Sequence, residues 1–508
     1  MSETSVHPIR PDRVVIGGTT SIPRMISGLW QLAGGHDKHV DIDTAARAMK
    51  PLVDVGLDCF DMADHYGDAE LVIGRYRASS SQNVMAFTKW CPPEDGEKSF
   101  EAAERAIDRA LQRMGQGEIT LMQYHVWDYT DDTYWHNLDH LRAIQEAGKI
   151  KHIGLTNVDA GHLELLIESG FTIATNQVSF SVLDQRLVQG RLASVCEKYK
   201  VGVLAYGTLL GGFLSEKWLG QAEPEDMESL NWSLRKYLRF IRAAGGWTPF
   251  QNILQALSTI ATRHDVSIAA VATRYVLDVP VVSAVIVGCR LSSESTRYAA
   301  RNLEAFSFTL SEDDHALIRE AQKGLSAIPG DCGDEYRRSP FLTAAGNLSH
   351  HLPPSRNERL EEAIQRGNRI EYSTGSPWEP IAGYSRAVRT GNYIYVSGTT
   401  AHVPVGLEER IFCVYSARAQ TVAVLDIVGR ALKALGGSLA NVVRTRVIIK
   451  REEDCEQVSR VLGQAFHYEG IRPANTVFVA KMVGAGFLVE IEAEARLGLD
   501  GVLQLSSH

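Results

Sequence analysis

GLDCFDMADHYG, residues 56–67, opens with an apolar run, Leu57–Ala63, and closes in a polar loop that leads into a helical pattern. A short apolar run between turn signals reads as a strand buried on both faces. Seven further runs of this kind follow or precede it, at Met25–Leu32, Val84–Trp90, Ile119–Trp127, His152–Asn157, Ile173–Phe180, Val203–Tyr206 and Ala284–Gly288. Helical patterns lie between them, among them Ser99–Met114, Thr133–Ala147 and Leu187–Tyr199. Eight apolar strands alternating with helices imply a parallel α/β sheet covered on both faces. The count of eight favours a closed (β/α)8 TIM barrel over an open doubly wound sheet. No GxGxxG follows the first strand, which weighs against the open alternative.

The chain is 508 residues long, enough for two domains or more. Its composition, 44% hydrophobic and 22% charged, is that of a globular protein. A net charge of −9 with no basic stripe excludes nucleic acid as a partner. The first residues, MSETSVHPIRPDR, hold no apolar signal region, and no run is long enough to cross a bilayer. Seven scattered cysteines without a CxxC suit free thiols in a reducing cytoplasm. Sixteen histidines include no HExxH, so no metal is expected.

Nearly eighty residues separate the seventh strand from the eighth, including the Trp-, Gly- and charge-rich Ser215–Gly246. A long loop after a barrel strand is expected to overhang the active-site face as a lid. Ser311–Leu325 reads as a last helix, with Ser311 as N-cap and Asp313 and Asp314 in its first turn. The chain then collects Pro, Gly, Ser, His and Arg from Ile328 to Asn357, which marks a linker. The expected division is a barrel over 1–335, a linker over 336–367 and a second domain over 368–508. In that domain Tyr393–Val396, Val442–Lys450, Asn475–Ala480 and Leu488–Ala495 read as strands, and Ala417–Leu435 and Glu453–His467 as helices. This is an α+β layout, one sheet with helices on one face.

Chemistry in a barrel of this type sits at the C-terminal strand ends. The polar residues that end the apolar runs are Asp61, Lys89, His125, Asn157, Gln177 and Tyr206, with Tyr66 on the loop past Asp61. An acid, a base, an imidazole and a phenol thus converge on one mouth. Five motifs, Gly56–Gly67, the TKW at Thr88–Trp90, QYHVWD at Gln123–Asp128, GKIKHIGLTN at Gly148–Asn157 and NQVSFS at Asn176–Ser181, resemble in order and spacing those of the aldo-keto reductases. The resemblance covers about Val14 to Leu325. It implies reduction of a carbonyl by NADP(H), with NAD(H) as the alternative, and a catalytic group of Asp61, Tyr66, Lys89 and His125. Tyr66 is then the proton donor, its pKa lowered from about 10 by the Lys89 cation. Asp61 holds Lys89, and His125 orients the carbonyl oxygen.

The same resemblance assigns Asn157 and Gln177 to the nicotinamide carboxamide and Tyr206 to a stack on the ring. Gly207, Leu209 and Gly211 fall to the pyrophosphate, although Gly207-Thr208 departs from the family's usual Ser-Pro. VGCRLSSESTRYAARN, residues 287–302, leads from the eighth strand to a Ser-capped helix start, a ready anion site. Arg290 and Arg297 are candidates to grip a 2′-phosphate in the forked way Arg favours, with Asn302 completing the cofactor set. Trp30, Trp90 and Trp127, together with the long insertion, are expected to line an apolar or aromatic substrate pocket.

Ser373–Thr400, Arg472–Ala480 and Leu488–Ala495 are similar to segments of the Rid family of reactive-intermediate deaminases, over about Asn368 to Gly498. This implies a chorismate-mutase-like α+β fold, trimers with clefts between subunits, and handling of imines or enamines. The family's Pro-Ala-Arg-Ser is here Pro473-Ala474-Asn475-Thr476, and an amide cannot grip a carboxylate as a bidentate cation does. Glu492 matches the family's cleft glutamate. The expectation is a cytoplasmic NADPH-dependent reductase of an aldehyde, ketone or imine, trimerised by its second domain. Alternatives are a sugar dehydrogenase with a scaffolding second domain, a bifunctional reductase and imine deaminase, or a non-catalytic nucleotide-sensing barrel.

Overall fold

The computed structural model describes residues 9–33, 41–92, 98–227, 229–337, 358–402, 407, 415–499 and 501. The chain forms two compact units: one of residues 1–127, 136–160 and 172–351, and one of 128–135, 161–171 and 352–508. The first begins with a hairpin that the sequence reading passed over, β1 (Arg13–Ile16) and β2 (Thr20–Pro23). Eight parallel strands then close a barrel: β3 (Met25–Gly28), β4 (Cys59–Asp61), β5 (Met85–Trp90), β6 (Ile119–His125), β7 (Ile150–Thr156), β8 (Thr175–Ser179), β9 (Gly202–Tyr206) and β10 (Val282–Gly288). They follow one another in sequence order around the barrel, with β10 pairing back to β3.

Alternation along each strand sets what fills the barrel. Side chains two apart share a face. Cys59 and Asp61, Phe87 and Lys89, and Leu121, Gln123 and His125 therefore form inward columns, apolar below and polar above. The lower members, with Ile26, Leu204 and Ala284, make a buried cluster, and Ile16 and Ile22 of the hairpin close it from beneath. The opposite parity points outward. Trp90 lies on it and packs against Tyr124 at 5.7 Å between ring centroids.

The long stretch between β9 and β10 is helical rather than a loose loop. Helices Trp232–Ala243, Trp247–His264 and Ile268–Leu277 share a core of Leu238, Phe240, Ile241, Phe250, Leu254 and Val271 with the helix Glu312–Gln322. Asn231 caps the first, accepting from the Leu234 amide at 3.0 Å. Ser311 caps the last in a reciprocal box with Asp314.

The expected linker begins differently from its composition. Residues Ile328–Arg337 fold back across the barrel's rim, with Asp331, Cys332, Asp334, Glu335 and Tyr336 all buried. Polar groups are stable there because each is matched. Arg186 forks onto Asp184 at 2.9 and 2.7 Å and reaches Glu335 at 2.7 Å and the Asp331 carbonyl at 3.0 Å. Residues 338–357, the middle of the expected linker, lie outside the described residues. Helix Glu358–Gln365 follows, inside the range expected to be unstructured.

The second unit holds a six-stranded sheet in the order β11 (Ile370–Tyr372), β12 (Ala387–Thr390), β13 (Tyr393–Thr400), β16 (Val489–Arg496), β14 (Val442–Ile449), β15 (Ala474–Val479). The first two strands and a short helix, Trp378–Ala382, add to the expected elements. Ile394, Val396, Ile491 and Ala493 are buried on the side of helix Ala417–Ala434, whereas Tyr393 and Tyr395 on the alternate positions are exposed.

Candidate active site

A cavity of about 380 Å³ opens at the C-terminal ends of the barrel strands, where a ligand site of this fold belongs. Asp61, Tyr66, Lys89 and His125 all line it. Lys89 donates to Asp61 Oδ2 at 2.6 Å and to the Met62 carbonyl at 2.8 Å. The second Asp61 oxygen accepts from Gln123 and Gln177, both at 2.8 Å, and Gln177 also donates to Gln123 at 2.7 Å. Gln123 was missed by the sequence reading, although it sits between Leu121 and His125 on the inward parity of β6. Gln177, read as a cofactor ligand, bonds within this network.

Tyr66 stands beside the pair, with the Lys89 ammonium 5.1 Å from its ring centroid and no hydrogen bond joining the two. Burial pushes the Tyr66 phenol well above its ordinary pKa, and Asp61 and Cys91 push the same way. This reverses the expected direction, because desolvation decides and Asp61 acts with it. The phenol is therefore held protonated. His125 packs against Trp127 with its ring tilted by 34° and the centroids 3.9 Å apart. Trp30 meets Tyr66 edge-on at 4.9 Å. Trp30 and Trp127 line the cavity, but Trp90 does not, for the parity reason given above. Asp64, His65 and Cys91 bring possible metal-ligand atoms within 4.8 Å of one another beside Tyr66. Asp64 is already engaged, by His65 at 2.8 Å and the Cys91 amide at 3.1 Å.

Of the proposed cofactor residues, Asn157, Gln177, Tyr206, Gly207, Leu209, Gly211 and Arg290 line the cavity. Asn157 has φ of 58°, and its side-chain oxygen accepts from the Tyr206 hydroxyl at 2.7 Å. Arg297 and Asn302 are not brought to the cavity. Arg297 is exposed and lies 3.4 Å from Glu294. The helix start expected to be Ser-capped has Glu294 at the cap position, without a side-chain cap bond. A carboxylate there opposes an anion at that terminus.

Lys236, Tyr237 and Tyr336 also line the cavity, and the sequence reading missed them. Lys236, on helix Trp232–Ala243, is buried and donates to the Tyr336 hydroxyl at 2.7 Å. Of the stretch read as a lid, Asn231–Ser233, Lys236 and Tyr237 reach the cavity.

Residues 24–323 match the Aldo/keto reductase family, and the chain belongs to it. It is an oxidoreductase that works with a nicotinamide cofactor. Residues 374–497 match a second family, Endoribonuclease L-PSP. Among curated relatives, the chain is 36% identical over 142 residues to flagellar radial spoke protein 5 of Chlamydomonas reinhardtii, covering 27% of this chain and 26% of that one. It is 27% identical over 323 residues to protein tas of Escherichia coli, covering 56% of this chain and 88% of that one. A glycerol dehydrogenase from Gluconobacter oxydans shares the barrel fold at 20% identity with a TM-score of 0.50, covering 63% of this chain and 98% of that one.

The residues present fit a dinucleotide. A Cβ on Gly207 (φ 72°) would fall 2.6 Å from the Tyr237 hydroxyl, and one on Gly211 (φ 67°) 2.9 Å from the Ser233 backbone. Gly207 and Gly211 thus line the cavity beside Tyr206 in positive-φ conformations packed too tightly for a side chain.

In the second domain Asn475 accepts from Thr445 at 3.0 Å, and Glu492 accepts from Arg446 at 2.9 Å. Thr445 and Arg446 are consecutive, so the two expected cleft residues lie on opposite faces of the sheet in one protomer.

The strap over the rim has its own pH dependence. Burial, with Asp159 and Asp334 nearby, pushes the Asp331 carboxyl from 3.8 up to about 7. Burial opposes ionisation of Glu335 too, but Arg186 holds it down at about 2. Asp331 binds its proton more tightly folded than unfolded. Its stabilising effect is thus full below 3.8 and is lost as pH rises through about 7. Thermal unfolding of the wild type should drop in midpoint between pH 5.5 and 8.5, and Asp331→Asn should flatten that drop. An equal slope in both proteins would remove Asp331 as its source.

Proposed function

We propose that the barrel reduces an aldehyde, ketone or imine with Asp61, Tyr66, Lys89 and His125 as its catalytic group. The observation that carries this is that Tyr66 and His125 face one cavity together with a buried Lys89–Asp61 pair. When bound, the reduced nicotinamide supplies hydride to the carbonyl carbon. Tyr66 gives its hydroxyl proton to the oxygen, and His125 holds that oxygen in line. Lys89, fixed by Asp61, stands by the ring to stabilise the phenolate left behind. Asn157 and Gln177 are assigned to the carboxamide, Tyr206 to the ring face, and Gly207, Leu209 and Gly211 to the pyrophosphate. Tyr66→Phe should lower kcat about 10²–10⁴-fold while nicotinamide binding, read by fluorescence quenching, persists. A fully active Tyr66→Phe protein refutes the assignment.

The form of the cofactor is proposed as NADP(H), with Arg290 as the 2′-phosphate ligand, since Arg297 lies off the cavity and faces Glu294. Arg290→Met should raise KM for NADPH at least about tenfold and leave KM for NADH nearly unchanged, the loss expected for one charge-assisted contact. Equal effects on both refute it.

The second domain is read as the assembly module. Its sheet carries exposed Tyr393, Tyr395 and Phe478, and Asn475 gives no cation for a carboxylate. The intact chain should sediment as a trimer, and a monomer at micromolar concentration refutes this.

A further inference from the structure

The cavity contains a second lysine that the reduction chemistry does not use. Lys236 lies among three phenol rings, 4.9 Å from the centroid of Tyr206, 5.5 Å from Tyr237 and 4.8 Å from Tyr336. An ammonium has three protons to donate. Lys236 uses one, on the Tyr336 hydroxyl at 2.7 Å. No carboxylate among the described residues lies within ion-pairing distance of it. Glu335, which is near enough to influence its charge, is bound by Arg186 at 2.7 Å. Burial works against the cation, yet the surrounding phenols and Glu335 hold its pKa above the usual lysine value. Lys89, by contrast, is paired with Asp61 at 2.6 Å.

An ammonium in a dry site without an ion-pair partner is costly. The rings offset part of that through their faces. Two unused protons on a cavity-lining cation define a receptor for an oxyanion. Its place in the cavity identifies whose oxyanion it is. Tyr336, bonded to Lys236 at one end, lies with its ring 5.3 Å from His125 and 6.3 Å from Trp127. The Lys236 ammonium and the proton-delivering end of the site are thus bridged by a single side chain, a separation that a small molecule spans.

We propose that Lys236, oriented by Tyr336, binds a carboxylate or phosphate of the substrate, so that the barrel acts on small anionic carbonyl compounds. This rests on the carbonyl-reductase reading above. The shared chemistry, an oxyanion on an ammonium, has a second possible source in the cofactor's pyrophosphate, and the test separates the two.

The test uses the intact chain without cofactor, titrated by calorimetry with benzoate, with its uncharged isostere benzamide, and with inorganic pyrophosphate. Wild type should bind benzoate at least about tenfold more tightly than benzamide, the size of one charge-assisted hydrogen bond. Lys236→Met should abolish that gap, and Lys236→Arg should retain most of it. Circular dichroism checks the fold, and Lys236→Gln serves if the Met variant is unfolded. Equal binding of benzoate and benzamide by wild type overturns the proposal, as does a gap that survives Lys236→Met. Loss of pyrophosphate binding with benzoate unaffected overturns it in favour of the cofactor. Binding is read without turnover, so a chain that keeps Lys236-dependent benzoate binding but reduces no carbonyl sinks the reductase reading and leaves the anion site standing.

Discussion

The ion pair between Lys89 and Asp61 is the constraint on which the working end of the barrel depends. Both groups are about 4% exposed, so neither is stable without the other. Removing one partner of such a pair typically costs about 3–5 kcal/mol. Asp61 spends its remaining acceptor capacity on Gln123 and Gln177, so one carboxylate ties together β4, β5, β6 and β8. That cross-link also fixes the Lys89 ammonium 5.1 Å from the centroid of the Tyr66 ring, whose phenol burial pushes up.

Much of the barrel was legible because its strands are short apolar runs, and the cavity lining of Asp61, Lys89 and His125 because polar residues end those runs at one side. What failed did so for physical reasons. Trp90 belongs to a strand that ends at the mouth, but the two-residue period turns it outward against Tyr124. Lys236 lies in an amphipathic helix where a lysine ordinarily faces water, and only packing against three rings reveals otherwise. The strap from Ile328 to Arg337 has the Gly, Pro and acid content of a linker. Its burial comes from Arg186, nearly 150 residues upstream, a pairing no local pattern can display. Ser311 was readable because a cap and its reciprocal acid sit within one turn.

The second domain shows the same division. Its helices and central strands follow from periodicity, whereas Ile370–Tyr372 and Ala387–Thr390 are too short and too polar to stand out. Asn475 and Glu492 were grouped by family pattern, but alternation across the sheet separates them.

The strap also follows every other part of the barrel in the chain. Barrel strands and helices are complete once residue 323 has been made, where the family match ends. A domain emerging from its N-terminus can close its sheet early, but this one receives the last wall of its cavity only with the residues that lead away from it. A barrel that ended at residue 323 would hold Arg186 with Asp184 alone, and its mouth would lack the wall that Tyr336 supplies.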